Sequence, residues 1–222
     1  MNYCLEADSI IKSYGDDPLL TDIYLKCETN DIIGILGRNG TGKSTLLKIL
    51  FGTMEAENKS IRINNTVYET PYQQKNLFAF LPQNHFIPGY FSVEKAISLF
   101  LPSAIGISLY EDSVIRSIRS KKIRDLSAGE LRYLEVKLVL HLESHFVLLD
   151  EPYSSLSPLL TDDINRQIEE KTAQKGFIIT DHHYESIFKI ATKIYLLKNG
   201  QAYPIRNKLE LVEMGYLKSN ML

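Results

Sequence analysis

Short, mainly apolar runs recur along the chain and predict a set of buried strands. They cover residues 32–36, 78–81, 146–149 and 176–180. Runs of this length, bounded by turn residues, favour fully buried strands over helices. Apolar residues recur at helical spacing in 45–50 and 158–172, which predicts two helices. In the second of these, Leu160, Ile164 and Ile168 share one face. Strands that alternate with helices indicate an α/β fold with a parallel sheet.

The amino-terminal and carboxyl-terminal parts of the chain show patterns typical of antiparallel strands. A strand is predicted over residues 4–14, followed by a turn at 15–18 and a second strand at 23–27. Two hairpins are predicted, at residues 60–68 around Asn64-Asn65 and at 193–205 around Asn199-Gly200. A helix over 208–214 follows the second hairpin.

A mostly helical stretch lies between these α/β parts. It opens with an aromatic loop, residues 85–91, and continues with helices predicted at 92–101 and 110–118. Another helix follows Ser127, with leucines at helical spacing at 131, 134, 138 and 142. The aromatic loop is either a docking surface for a partner or part of the small core of this stretch.

Five basic residues cluster within this stretch, at 116, 119, 121, 122 and 124. Such a run can contact an acidic partner or lipid headgroups. A solvated helix end is the more common meaning of a short basic run, and we favour it here.

Composition describes an ordinary globular protein. The chain has 222 residues, 44% of them hydrophobic and 23% charged, and its net charge is -2, which argues against general electrostatic binding of nucleic acid. Cys4 and Cys27 lack metal-site spacing, and we expect reduced thiols in the cytoplasm. Neither a signal peptide nor a membrane-spanning segment is predicted, so action at a membrane would need a partner that spans it.

The strongest motif is a phosphate loop, residues 37–44, which matches G-x-x-x-x-G-K-[ST]. It lies between a predicted strand and a predicted helix, the setting that this motif requires. Its glycines allow backbone N–H groups to converge on phosphate oxygens at a helix N-terminus. Lys43 would reach the β- and γ-phosphates, and Ser44 would place its hydroxyl on Mg²⁺. The motif predicts nucleoside triphosphate binding.

Polar residues at other strand ends complete a candidate site. Asp150 and Glu151 end a buried strand, where a phosphate-loop ATPase holds Mg²⁺ and activates the attacking water. Gln83 and His182 end two other strands and could orient water or Mg²⁺ and sense the γ-phosphate, although each alone is more often structural. Tyr14 ends the first strand and could stack on a base, a weak signal in a chain with 13 tyrosines.

Residues 126–130, which read LSAGE, open the helix that begins near Ser127. Ser127 is placed to cap that helix. The same helix N-terminus could instead admit a phosphate. A second anion site in one domain implies either a second phosphate or a second subunit.

Taken together and in this order, these stretches resemble the nucleotide-binding subunit of ATP-binding cassette (ABC) transporters over nearly the whole chain. Gly37 to Ser44 matches Walker A, Gln83 the Q-loop, residues 126–130 the signature and 146–151 Walker B. Ser154 to Ser157 matches the D-loop, and His182 matches the switch histidine.

The resemblance implies a P-loop NTPase fold, with an ABC ATPase core, an N-terminal antiparallel β subdomain and a small helical subdomain. Residues 1–83 and 145–222 would form the core and β subdomain, and 84–144 the helical subdomain. The implied ATP-binding residues are Tyr14, Gly37, Arg38, Asn39, Gly40, Thr41, Gly42, Lys43, Ser44 and Thr45. Glu151, His182 and Gln83 would be catalytic, and Ser44, Gln83 and Asp150 would hold Mg²⁺.

The family also implies a head-to-tail dimer of identical or different cassettes. The signature residues Ser127, Ala128, Gly129 and Glu130 would contact the ATP held by the partner cassette. ATP would close the dimer and hydrolysis would release it, driving a separate integral membrane subunit. The expected location is the cytoplasmic face of a membrane, and the aromatic loop would receive that subunit.

Three positions depart from the family pattern. The signature reads LSAGE where LSGGQ is favoured, which places Ala128 and Glu130 at substituted positions. The D-loop ends in Ser157 instead of Asp, and Leu138 stands where Arg is common. We expect ATPase activity to be retained, because Ser127 and Gly129 are kept.

Two other functions fit a phosphate loop. A soluble ABC-type switch acting on a ribosome or DNA complex usually carries two cassettes or a long coiled-coil insertion, and neither is present in this sequence. A phosphoryl-transfer kinase is disfavoured by LSAGE and by the Asp150-Glu151 pair.

Overall fold

A computed structural model describes residues 2–218 as an α/β protein built on two sheets. The first sheet is antiparallel, with strand order β2-β1-β4-β5. Its strands are β1 (Cys4–Tyr14), β2 (Asp17–Glu28), β4 (Asn58–Ile63) and β5 (Thr66–Val67). The turn between β4 and β5 is the predicted one, since Asn64 and Asn65 both have positive φ, as a tight hairpin requires.

The second sheet has six strands in the order β10-β9-β3-β8-β7-β6. All neighbours are parallel except the final hairpin of β9 and β10. Its strands are β3 (Ile32–Leu36), β6 (Phe78–Leu81), β7 (Phe146–Asp150), β8 (Gly176–Thr180), β9 (Lys193–Lys198) and β10 (Gln201–Ile205). The predicted α/β fold class and the strands predicted at 32–36, 78–81 and 176–180 are confirmed, and the strand predicted from residue 146 ends at Asp150.

Alternate residues of the central strands enter two different cores. In β7, Phe146 and Leu148 face the core shared with the antiparallel sheet, whereas Val147 and Leu149 face the core beneath the helices. Side chains of a strand point alternately to the two faces, so a strand covered on both sides must be apolar throughout. This burial explains why the strand sequences read as continuous apolar runs.

Eight helices cover these sheets in the described part of the chain. They are α1 (Lys43–Phe51), α2 (Val93–Phe100), α3 (Ser103–Ser108), α4 (Ser113–Ile118), α5 (Ala128–His141), α6 (Pro158–Lys171), α7 (Tyr184–Ile190) and α8 (Lys208–Glu213). The helices from α2 to α5 all lie between β6 and β7 in the chain. In this order the aromatic loop and then the helical layer follow the Q-loop residue Gln83.

Several predicted bounds were wrong. β2 begins at Asp17, so the turn after Tyr14 is only two residues long and Asp17 pairs with Tyr14. The helix predicted over 110–118 is a 3₁₀ turn, Leu109–Glu111, followed by α4, because the Asp112 carboxylate accepts from the N–H groups of Val114 and Ile115. A side-chain cap of this kind starts a new helix.

Two helices, α3 and α7, were not predicted. Helix α7 packs so closely on β3 that a Cβ at Gly34 would lie 2.2 Å from Ile187 Cγ2. Gly34, which interrupts an otherwise aliphatic strand, is therefore required by the approach of a helix. An isolated Gly inside a strand often marks such an approach.

His141, at the end of α5, predicts how stability depends on pH. Its Nδ1 lies 2.7 Å from the carbonyl oxygen of Lys137, and burial lowers its pKa from 6.5 to about 4. Between these values the unfolded chain binds a proton that the folded chain does not, so stability falls as pH drops from about 6.5 towards 4. Over this pH range we expect the free energy of unfolding to decrease by up to about 3 kcal/mol because of this residue.

Urea unfolding of the parent and of His141→Gln at pH 7, 6 and 5 measures this contribution. The variant, which cannot titrate at this position, should lose less stability than the parent across the series. Parallel pH profiles for the two proteins would contradict the prediction.

Candidate nucleotide site

The phosphate loop connects β3 to α1 with the backbone geometry that its glycines allow. Gly40 and Gly42 have φ values of +81° and +99°, in the left-handed region that favours glycine. A Cβ at Gly37 would lie 2.8 Å from the carbonyl oxygen of Leu197 on β9. Leu46 N–H donates to the Gly42 carbonyl oxygen at 2.8 Å, so the helix starts directly from the loop.

The Lys43 side chain lies inside the loop and is only 6% exposed. Its Nζ donates to the carbonyl oxygens of Gly37 at 2.8 Å and Arg38 at 3.2 Å. Burial lowers the pKa of this ammonium, and the nearby carboxylates, led by Glu151, oppose that shift. A cation held among carbonyls at a helix N-terminus is suited to binding an anion.

Asp150, at the end of β7, is 1% exposed. Its Oδ1 accepts from Ser44 Oγ at 3.1 Å and from Thr180 Oγ1 at 2.6 Å. Its Oδ2 is buried and has no hydrogen-bond partner among the described residues. Such an unpartnered carboxylate oxygen is costly to bury, and with the Ser44 hydroxyl it offers the oxygen ligands that Mg²⁺ prefers. These residues therefore fit a magnesium ion.

Glu151 adopts a left-handed conformation, with φ of +52°. Its N–H donates to the Thr180 carbonyl oxygen at 2.7 Å, and its Oε2 accepts from Gln83 Nε2 at 3.0 Å. A positive φ is uncommon for a non-glycine residue and persists only where surrounding contacts hold it. The Q-loop glutamine and the candidate base are thus in direct contact.

A cleft of about 510 Å³ opens over the phosphate loop. Its lining includes nine of the predicted site residues, seven predicted to bind ATP and two, Gln83 and Glu151, predicted to be catalytic, together with Leu19, which was not predicted. The residues are Tyr14, Leu19, Asn39, Gly40, Gly42, Lys43, Ser44, Thr45, Gln83 and Glu151. Tyr14 is 54% exposed at the rim, as a ring available for stacking would be.

Two residues of the phosphate loop that were predicted to bind ATP line a different cavity. Arg38 and Thr41 line a separate cavity of about 220 Å³ together with residues 196–199 and 214–216. Arg38 Nη2 donates to the Gly215 carbonyl oxygen at 2.9 Å. The Arg38 side chain thus holds the carboxyl-terminal segment against the phosphate loop.

His182 follows β8 and stands outside the lining of the cleft. Its side chain is 52% exposed, and its Nδ1 lies 3.5 Å from Oδ1 of the fully buried Asp181. Asp181 also accepts from the N–H groups of His183 and Tyr153. Asp181 was missed in the sequence because a carboxylate beside a turn normally indicates exposure, whereas here it ties two loops together.

The signature residues lie at the start of α5, away from this cleft. Ser127 and Glu130 form a capping box: the Ser127 hydroxyl accepts from Glu130 N–H, and the Glu130 carboxylate accepts from Ser127 N–H. Glu130 also pairs with Lys121 Nζ at 2.8 Å, which together with the cap lowers the pKa of Glu130. Ser127 therefore does cap the helix, while Ser127 and Ala128 remain exposed.

Local packing explains why position 129 is a glycine. A Cβ at this position would lie 2.6 Å from the carbonyl oxygen of Ser155 in the D-loop. Ser157, which replaces the usual Asp, caps α6 through its hydroxyl. The signature and D-loop thus touch within one chain.

Three of the basic residues considered above have acidic partners, including Arg124, whose Nε lies 3.8 Å from Asp125 Oδ1. Arg119 pairs with Glu94 at 2.6 Å, and Lys121 pairs with Glu130.

The aromatic loop contains both buried and exposed side chains: Ile87 is buried, whereas Tyr90 is 72% exposed. Within residues 2–218, none of the helices combines the length and the apolar character needed to cross a membrane.

Comparison with known proteins decides the family. The ABC transporter family model matches residues 20–154, more than half of the chain. The chain belongs to the ABC transporter family. An ABC transporter ATP-binding protein of Rhizobium meliloti, described as uncharacterized, is 30% identical over 211 residues, covering 89% of this chain and 78% of that protein. The lipopolysaccharide export system ATP-binding protein LptB of Acidithiobacillus ferridurans is 26% identical over 229 residues, covering 96% of this chain and 94% of LptB.

Solved ABC structures share the fold. A bacterial Atm1-family ABC exporter with ATP bound superposes with a TM-score of 0.84 at 18% identity, covering all of this chain and 42% of that one. A dimeric bacterial ABC transporter cassette gives a TM-score of 0.79 at 16% identity, covering 91% and 99%. As an ABC ATPase subunit, the chain binds and hydrolyses ATP to energise transport.

Arg132, Glu135 and Thr180 were not predicted as site residues. Thr180 donates to Asp150 because β8 is the neighbour of β7, an arrangement that only the sheet order reveals. Arg132 and Glu135 are charged residues three positions apart within a helix that is buried from 132 to 140. The sequence signal that could have identified them was a charged pair at this spacing in a leucine-rich helix.

Proposed function

We propose that the cleft over the phosphate loop binds Mg²⁺–ATP and that the residues at its edge divide the work of hydrolysis. The supporting observation is the convergence of Lys43, Ser44, Asp150, Glu151 and Gln83 through the contacts described above. Strand ends of a parallel sheet gather at one edge, which brings these distant residues together. Tyr14 stacks on the base at the rim.

Ser44, Asp150 and Gln83 would hold the magnesium ion. When bound, this ion neutralises charge on the phosphates. The buried, unpartnered Oδ2 of Asp150 supports this role. Lys43 leaves the Gly37 and Arg38 carbonyl oxygens and donates to the phosphates, where its charge is better compensated.

Glu151 acts as the general base on the attacking water. Its carboxylate is held by Gln83 at the cleft, in a position to accept a proton. His182, which is half-exposed directly after β8, contacts the γ-phosphate when the site closes. The polar side chains of this chain thus supply proton acceptance and orientation.

A second cassette, identical or different, completes the site. Ser127, Ala128, Gly129 and Glu130 lie at the start of α5, the first two exposed and the others half-buried, and none of them lines the cleft of the same chain. In a head-to-tail dimer this helix N-terminus faces the ATP of the partner cassette. The Lys121–Glu130 ion pair keeps the Glu130 carboxylate engaged and reduces its repulsion of that ATP.

The proposed partner is an integral membrane subunit, which would keep the chain peripheral on the cytoplasmic face. Residues 84–144 would form the helical subdomain that docks on it, and residues 1–83 and 145–222 the core with the β subdomain. The exposed Tyr90 of the aromatic loop supports this contact.

Purification of the chain from its own cells with a mild detergent tests the partner. We expect a polytopic membrane protein to copurify, and to be lost when Tyr90 is changed to Asp. Copurification of ribosomes or DNA in place of a membrane protein would favour a soluble switch and contradict the proposal.

A further inference from the structure

Arg132 is a buried cation whose hydrogen-bond donors are all engaged. It lies on α5, five residues after Ser127, and is 1% exposed. Its guanidinium makes five contacts, equal to the number of its N–H donors. Nε donates to the Glu151 carbonyl oxygen at 3.3 Å, Nη1 to the Pro82 carbonyl oxygen at 2.9 Å and Glu135 Oε2 at 3.5 Å, and Nη2 to the carbonyl oxygens of Asp150 at 2.5 Å and Glu151 at 2.9 Å.

The three backbone carbonyls among these acceptors belong to the two segments that carry the catalytic candidates. Pro82 directly precedes Gln83, and the other two carbonyls are those of Asp150 and Glu151 themselves. Glu151 has the unfavourable φ noted above, so its backbone needs contacts that hold it. One planar guanidinium therefore joins the backbone on both sides of the Gln83–Glu151 hydrogen bond.

Glu135 extends this connection to the aromatic loop. Its side chain is fully buried, its Oε2 lies 2.9 Å from His85 Nδ1, and its Oε1 accepts from Phe86 N–H at 3.0 Å. The Arg132–Glu135 pair thus contacts the chain at Pro82, His85 and Phe86. Helix α5 holds the whole start of that loop.

Stability alone is a poor reason for this arrangement. Two charges lose much hydration when they are buried, and replacing a buried pair by apolar residues is often neutral or stabilising. A fixed, fully bonded guanidinium is instead suited to defining one backbone geometry.

We propose that Arg132 is a positioning residue for ATP hydrolysis: with Glu135 it fixes Gln83 and Glu151 relative to each other and links them to the segment 85–86. The proposal rests on the roles assigned to Glu151 and Gln83 above. Arg132 does not touch the reacting atoms. A shift of the aromatic loop on docking changes the position of the candidate base through this pair.

Two variants of the full chain test the proposal. Arg132→Lys keeps the charge beside Glu135 but has three donors in place of five. The double variant Arg132→Gln/Glu135→Gln removes both charges, so neither buried charge is left without its partner. For both we expect kcat to fall at least about tenfold while the Kd for ATP stays within about twofold, because misplacement of a catalytic group by about 1 Å can cost 10²-fold.

Lys137→Gln is the matched control. Lys137 lies on the same helix, is 6% exposed, and pairs with Asp112 at 2.9 Å, away from the cleft. It should lose thermal stability and keep the parent kcat. Combining Arg132→Lys with Gln83→Ala should cost less than the product of the two single effects, because both displace the same group, the Glu151 carboxylate.

The outcomes separate this role from the base assignment. A kcat within twofold of the parent for both variants, beside an inactive Glu151→Gln, would overturn the positioning role alone. So would a fall in kcat no larger than that of Lys137→Gln at matched stability. Full activity of Glu151→Gln would remove the base on which the positioning role depends.

Discussion

Changing Glu151 to Gln is expected to stop steady-state ATP hydrolysis while ATP stays bound. The amide has the size of the carboxylate and can still accept the hydrogen bond that Gln83 donates at 3.0 Å, so the local geometry is kept. It cannot accept a proton from the attacking water. Loss of a general base costs about 10²–10⁴-fold in rate, and phosphate release under saturating ATP measures it.

The same variant should accumulate as an ATP-bound dimer, because hydrolysis is the step that opens it. Size-exclusion chromatography with Mg²⁺ and ATP would detect the shift in size. Glu170→Gln, an exposed position on α6, is the matched control and should behave as the parent. Undiminished turnover by Glu151→Gln would refute the base assignment.

Changing Lys43 to Ala should remove most of the nucleotide affinity. Lys43 is buried in the loop, and in the proposed site its ammonium would supply charge-assisted bonds to the phosphates. Each such bond contributes about 1.5–3 kcal/mol, so we expect the Kd to rise about 10²-fold or more. Titration with a fluorescent ATP analogue measures the change directly.

Lys48→Ala controls for loss of a lysine from the same helix. Lys48 lies in the last turn of α1 and takes no part in the cleft lining. Its titration curve should match that of the parent. If the Lys43→Ala curve matched it as well, the phosphate-loop role would be excluded.

The central strands could be predicted because burial on both faces leaves a plain signal. Runs such as 146–150 and 176–180 are apolar at every position that meets a core. Helices α3 and α7 span only six and seven residues, so each offers fewer than two turns of periodic signal. The early start of β2 at Asp17 was hidden by polar residues whose place in the strand comes from pairing with β1.

Residues of the candidate site also differ in how far the sequence could predict them. The phosphate-loop residues are neighbours in sequence, so their chemistry could be read locally. Asp150 with Thr180, and Arg132 with Pro82, are neighbours only through sheet order and helix packing. No local pattern indicates which backbone carbonyl a buried arginine will contact.

The order of strands in the large sheet also bears on how the protein is made. β3, which leads into the phosphate loop, pairs in the described structure with β8 and β9, and β8 separates it from β7. A ribosome that has released β3 must therefore synthesise more than half of the chain before that strand gains a neighbour in this sheet. Contacts this distant in sequence form slowly. During translation the helical layer and β6 with β7 can assemble early, and the nucleotide cleft is among the last features to form.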